Sequence, residues 1–287
     1  MEYFELNNGV SLPALGTGTN TFGRDDDDLR SAPTGNFTAM EDAIRCGYEL
    51  FDCAMSYGNE EGLGTCLAES GIPRERFSIL NKIRNSAPYN VSPESIRQCV
   101  KDSLARMRTD YYDLFLVHQA IDPEIAKVGG SMDVERTVAL YHELEHMYEE
   151  GVFRAIGVAN FNKEQLEVLI ENCSIVPAVN QIRYNPACRN IETVEFCKDN
   201  GIIPMAHSPL NFEYALFKVD EAKKAEYRAK ASEIGEKYGK SWVQVLLRWN
   251  YQYGVCSIPK SSNPANQKAN LDIFDFELTQ DEMDSLF

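Results

Sequence analysis

The chain has 287 residues, of which 44% are hydrophobic and 25% charged. That suffices for one large domain with a substantial core, or two small ones, at the proportions of an ordinary globular protein. A formal net charge of −16 argues against nucleic acid and anionic membrane as partners, and any anionic ligand must find a local cluster of donors.

The 8 cysteines are scattered through apolar contexts and none forms a C-x-x-C pair, which points to reduced thiols and not to a disulfide framework. MEYFELNNGV at the start lacks a basic region and an apolar run, so no signal peptide is expected. The apolar stretches are too short to span a bilayer, and a cytoplasmic protein is the expectation.

Short apolar runs rich in β-branched and aromatic residues recur along the chain. They are ALGTG from Ala14, YELFDCA from Tyr48, FSILNK from Phe77, YDLFLVH from Tyr112, RAIGVAN from Arg154, PAVNQI from Pro177, IIPMAHS from Ile202 and VCSIPKS from Val255. Each reads as a buried strand. Helical patterns lie between them. SPESIRQCVKDSLARM opens with Ser92 as cap and Pro93 in the first turn, and spaces Ile96, Val100, Leu104 and Met107 along one face. AEYRAKASEIGEKYG and SWVQVLLRWN read the same way. Repeated alternation of strand and helix predicts a (β/α)8 TIM barrel of the α/β class, with residues 1–287 as a single domain. An open doubly wound sheet is the alternative, but GTGTNTFG does not have the spacing of its glycine-rich loop. The run Asp25 to Asp28 reads as a solvated loop, since no calcium-loop spacing accompanies it.

In a barrel, chemistry sits at the C-terminal ends of the strands. Those ends carry Asp52, Lys82, His118, Asn160, Gln181, His207, Ser208, Lys260 and Ser261, with Tyr57 in the turn after the second strand. A free phenol has a pKa of about 10, and a nearby ammonium lowers it by stabilising the phenolate. A carboxylate would hold that ammonium in place, and a histidine could hydrogen-bond a substrate oxygen. The set is a proton donor beside a carbonyl, as hydride addition to an aldehyde or ketone requires, with the hydride supplied by a cofactor.

FDCAMSYGNEEGLG, ILNK, YYDLFLVH, AIGVANF, VNQIRYNP, AHSPL, KYGKSWVQVLLRW and SIPKSSNPANQKANLDIFDFEL together resemble the successive motifs of the aldo-keto reductase family, in the family's order. The resemblance implies a (β/α)8 barrel whose bottom is capped by an N-terminal β-hairpin. It also implies an NAD(P)H-dependent reductase of the alcohol dehydrogenase or carbonyl reductase type. The family's proton donor falls on Tyr57, its tuning lysine on Lys82, the paired aspartate on Asp52 and the substrate-orienting histidine on His118. The carboxamide-binding positions fall on Asn160 and Gln181, while Ala159 replaces the usual serine. His207 takes the place of the stacking aromatic, and Ser208 and Leu210 match the diphosphate side. Gly18 and Thr19 fall on the cofactor side of the first strand. Lys260 and Ser261 match the contact to a 2′-phosphate, Asn266 stands where an arginine is expected, and Asn270 matches the adenine contact. Lys260 points to NADPH. The missing arginine, a bidentate phosphate partner, keeps NADH as the alternative. Asn20, Arg84 and Gln119 stand where many relatives carry large aromatics, which implies a polar or small carbonyl substrate with Arg84 as a carboxylate partner. A monomer or weak homo-oligomer is expected. A regulatory or redox-sensing subunit that binds the cofactor with little turnover is the alternative function.

HELEH, His142 to His146, matches the H-E-x-x-H of zinc peptidases. The extended form of that motif is absent, because Glu149 and Val152 occupy its later positions. Glu164 and Glu167 are the nearest third ligands, but the strand-like AIGVANF intervenes. The expectation is a helix on the outside of the barrel, ending at Gly151, with Leu140, Leu144 and Met147 buried.

Overall fold

The structure, a computed structural model, describes residues 1–26, 28, 31, 33–83, 92–121, 131–211 and 220–286. Strands β1 (Tyr3–Glu5) and β2 (Ser11–Pro13) pair antiparallel as a hairpin. Eight parallel strands follow: β3 (Gly16–Gly18), β4 (Leu50–Asp52), β5 (Ser78–Ile83), β6 (Leu114–Val117), β7 (Ile156–Ala159), β8 (Val179–Arg183), β9 (Ile203–His207) and β10 (Cys256–Ser257). They lie side by side in chain order. A bridge from Leu15 to Ser257 joins the last strand to the first, and Ser257 N donates to Ala14 O at 3.2 Å. The sheet is thereby closed into the expected (β/α)8 barrel.

Each predicted strand is present and most are shorter than the apolar run that announced it. YELFDCA yields only Leu50–Asp52, because parallel pairing across a closed barrel engages the middle of the run and releases its ends. Helices cover the outside: α1 (Thr38–Cys46), α2 (Glu60–Glu69), α3 (Pro93–Met107), α4 (Val134–Glu149), α5 (Lys163–Asn172), α6 (Ile191–Asp199), α7 (Glu221–Tyr238), α8 (Trp242–Gln252), α9 (Pro264–Leu271) and α10 (Gln280–Ser285). Ser92 caps α3 as expected, its side chain accepting from Ser95 N, and Ser241 caps α8 in the same way. No helix among the described residues is long and apolar enough to cross a membrane.

Side chains alternate across every strand. Leu50, Leu80, Leu114, Leu116, Val179 and Met205 fill the barrel interior, and Leu6 and Leu12 from the hairpin close its lower end. Phe51, Ile79, Phe115 and Ile156 point outward and pack beneath the helices. This period of two places the site. Asp52 follows Leu50 by two residues, Lys82 follows Leu80, His118 follows Leu116, Gln181 follows Val179 and His207 follows Met205. Polar residues therefore form the uppermost interior layer, above an apolar plug.

Candidate active site

A cleft of about 570 Å³ opens at the C-terminal ends of the strands. Asp52, Tyr57, His118, Asn160, Gln181, His207, Ser208, Leu210 and Lys260 line it, together with Gly18, Asn20 and Gln119. Lys82 lies beneath the lining and is fully buried. Its ammonium has three donors and three acceptors: Asp52 Oδ1 at 2.5 Å, Cys53 O at 2.8 Å and the Tyr57 hydroxyl at 3.4 Å. Asp52 Oδ1 also accepts from Gln181 Nε2 at 2.7 Å. The His118 ring meets Tyr57 edge to face at 6.2 Å between centroids.

Burial is the largest influence on these charges. It pushes the Tyr57 phenol up to about 12, although Lys82 pulls it down. The ammonium alone would lower the phenol, as the sequence implies; the net direction is the reverse, because desolvation of the phenolate outweighs the ammonium. Lys82 itself is raised: burial alone would lower it, but the Asp52 charge and hydrogen bond and the Tyr57 contact prevail.

The wall formed by β7, β8 and β9 is a chain of hydrogen bonds. Asn160, held at φ 60°, donates Nδ2 to His118 O at 3.0 Å. Its Oδ1 is thus left facing His207 Nε2 at 3.1 Å, which assigns the proton to that nitrogen. Burial first, then the charges of Arg183 and Lys82, hold His207 to about 3, so the ring is neutral. With its nitrogen side on Asp52, Gln181 has its carboxamide oxygen as the remaining polar atom.

Four predicted residues do not reach this cleft. Thr19 Oγ1 donates to Asp52 O at 2.9 Å and serves the backbone. Ser261 accepts from Asn263 N at 3.2 Å just before α9, Asn266 is exposed on that helix, and Asn270 is buried against Tyr48. Arg84 lies outside the described residues. Ala159 faces the barrel interior and offers one hydrogen bond fewer than serine. The sequence reading also passed over Arg183, which at the top of β8 in register with His207 donates to Asn211 O at 2.7 Å. Its signal in the sequence was its place two residues after Gln181.

HELEH lies on α4, outside the barrel, and Leu140, Leu144 and Met147 are buried as expected. The helix ends at Glu149 and Gly151 turns the chain away with φ 81°. Glu143 is not on a solvated face: it is buried and ion-paired with Arg97 of α3 at 2.5 Å. His142 Nε2 contacts Asn172 O at 2.8 Å. Among the described residues, no cluster of three or more His, Cys, Asp or Glu side chains is arranged to hold a metal ion.

A closed parallel barrel with a tyrosine, a lysine, an aspartate and a histidine at its upper mouth is the architecture of a barrel oxidoreductase. The family model described as the Aldo/keto reductase family matches residues 14–286. The glyoxal reductase of Bacillus subtilis (strain 168) is 35% identical, over 98% of this chain and 90% of its own length. The D-galacturonate reductase of Fragaria ananassa is 32% identical, over 96% and 86%. The crystal structure of a Bombyx mori aldo-keto reductase in complex with NADP superposes with a TM-score of 0.84 at 28% identity, covering 99% of this chain and 91% of that one. The chain belongs to the aldo/keto reductase family, whose members reduce small carbonyl compounds with a nicotinamide cofactor.

Proposed function

We propose that this protein reduces a polar or small aldehyde or ketone to the alcohol, with Tyr57 as the proton donor. What carries the reading is the contact of the buried Lys82 ammonium with the Tyr57 hydroxyl, backed by Asp52. With its phenol pushed up to about 12, Tyr57 holds its proton throughout the neutral range, which suits the reductive direction. As that proton passes to the carbonyl oxygen, Lys82 stabilises the phenolate left behind. His118 orients the oxygen from the other side.

The donor set fits a dinucleotide. Asn160 Oδ1 and the Gln181 carboxamide oxygen suit a carboxamide N–H donor, and the neutral His207 ring suits the face of an uncharged or cationic heteroaromatic. Ser208, at φ 53°, and Leu210 serve the diphosphate side. Lys260 places a cation on the rim of a strongly acidic chain, and with Ser261 it favours NADPH, with NADH as the alternative. Of the two side chains that match the adenosine motif, Asn266, exposed on α9, is left free of the Tyr48 contact that holds Asn270. A bound nicotinamide supplies the hydride.

Asn20 and Gln119 make the substrate side polar. Two relatives are named for reducing glyoxal and D-galacturonate, both polar carbonyl compounds. Arg84 remains the proposed partner for a substrate carboxylate. The test is oxidation of NADPH and of NADH, followed by absorbance, against a panel of dicarbonyls, uronic acids, keto acids and bulky aryl ketones, with Tyr57→Phe as the control. Faster turnover of the polar members is expected. A preference for aryl ketones defeats the substrate reading. Tight cofactor binding without turnover of any member points instead to a regulatory subunit.

A further inference from the structure

The segment between β3 and α1 borders the cleft at Asn20 and also reaches the back of the turn that carries Tyr57. Arg24 makes that connection. Its Nη2 donates to Tyr57 O at 2.8 Å, its Nη1 to Asn20 O at 3.3 Å and its Nε to Ser31 O at 2.9 Å. Three backbone carbonyls are thus gathered by one planar group. No ammonium could serve all three in the same geometry, because lysine presents a point charge and not a fork.

We propose that Arg24 is a positioning residue for proton transfer by Tyr57, a role that rests on Tyr57 being the proton donor. Tyr57 closes a short 3-10 turn, Met55–Tyr57, whose N–H bond to Ala54 O is 3.0 Å long and whose next residue, Gly58, turns left-handed at φ 69°. A single helical turn has little rigidity of its own. Its phenol is held at one end by Lys82 and its carbonyl at the other by Arg24. Asn59, buried immediately behind it, donates to Thr19 O at 2.8 Å and Phe22 O at 3.0 Å and ties the same turn to the same segment. The far end of the segment is seated by Phe37, whose ring occupies the space that a Cβ on Gly62 or Gly23 would need. One strap therefore sets both the height of the phenol and the position of a substrate-lining residue.

A misplacement of about 1 Å costs on the order of 100-fold in rate where geometry limits the reaction. The experiment compares Arg24→Ala and Arg24→Lys with the parent at saturating cofactor, using the best carbonyl of the panel. The measurements are kcat, KM, the solvent deuterium isotope effect on kcat, cofactor affinity by fluorescence titration, and Tm. Arg24→Ala should lower kcat by about tenfold or more and enlarge the isotope effect, because proton transfer becomes slower relative to the other steps. KM should rise through Asn20, cofactor affinity should hold, and Arg24→Lys should recover little. Added guanidinium ion at non-denaturing concentration should restore part of the Arg24→Ala rate. A kcat that is unchanged, or that falls only with the folded fraction at a constant isotope effect, overturns the inference. Where Arg24→Ala does not fold, Arg24→Gln is judged by the same readouts. Retained turnover in Tyr57→Phe would bring down the proton-donor reading and this inference with it. Loss of turnover there, with no effect at Arg24, would defeat this inference alone.

Discussion

Asn81 and Lys82 are neighbours on β5, yet they anchor two buried polar clusters of different character. Asn81 points outward, where its Nδ2 lies 2.7 Å from Glu60 Oε1, 3.0 Å from Ser103 Oγ and 2.9 Å from the Tyr112 hydroxyl. Glu60 Oε2 receives Arg106 Nε at 2.8 Å. This cluster lies between the sheet and α2 and α3, and its one partly exposed end is the Arg106 guanidinium, a group that keeps its proton. Lys82 points inward, and its cluster ends in a phenol that borders an open cleft. Both sets are buried and charge-paired. The difference is that one terminates in a group able to give its proton to something outside the protein. Burial and pairing are common to both clusters; what sets the proposed catalytic one apart is a last member that can release a proton into the cleft.

Substitutions should separate the two clusters. Tyr57→Phe removes the terminal proton and should lower kcat on the order of 100- to 10,000-fold with little change in Tm. In the parent, kcat for reduction should stay flat through the neutral range and fall only as pH rises toward the phenol's value of about 12, since the protonated form is the proposed donor. A tyrosine limb near neutral pH would contradict this.

Lys82→Met should damage both properties. Among the described residues, Asp52 would keep only Gln181 as a side-chain donor, and leaving a buried carboxylate without its cation costs about 3–5 kcal/mol. Urea titration and kcat should both report the loss. Glu60→Gln should behave in the opposite manner to Tyr57→Phe. It should cost about 1–3 kcal/mol, because Arg106 loses a charged acceptor that its partly exposed side chain can replace with water, while kcat per folded molecule stays in the parent's range. A selective loss of kcat in Glu60→Gln would erase the distinction between the clusters.

The smallest effect is expected at a third carboxylate, far from the mouth. Burial pushes Glu282 up, but Lys237, the Tyr238 hydroxyl and Thr279 N–H outweigh it and bring it from 4.5 to about 2. Since the folded form binds the proton more weakly, the stability it adds is present above about pH 4.5 and is lost as pH falls toward 2. Glu282→Gln should flatten the fall in the urea midpoint between pH 5 and 3 without altering turnover. An unchanged slope would remove Glu282 from the account.

The strands were legible because each apolar run has the length and β-branched content of a buried strand. The mouth residues were legible because they end those runs. What escaped the sequence is tertiary. Arg24 bonds to backbone carbonyls at Asn20, Ser31 and Tyr57, and no side-chain pattern announces such acceptors. Glu143 reads as a polar-face residue, but α3 lays Arg97 over it. The Tyr57 phenol was misjudged because the depth of a turn beneath a barrel rim cannot be counted from spacing. Thr19 and Asn270 lie in matching motifs, yet the side chain of one turns to the backbone and that of the other to Tyr48.

The alternation on β5 has a consequence for assembly of the barrel. Had this strand paired one residue out of step, its two faces would be exchanged. Lys82 would then join Arg106 on the single Glu60 carboxylate, leaving one cation in excess, and Asn81 would meet the Asp52 carboxylate without a countercharge. Both faces of the wrong pairing carry an electrostatic penalty in a medium that screens poorly. The lysine proposed to serve the chemistry thereby also disfavours mispairing of the strand that delivers it.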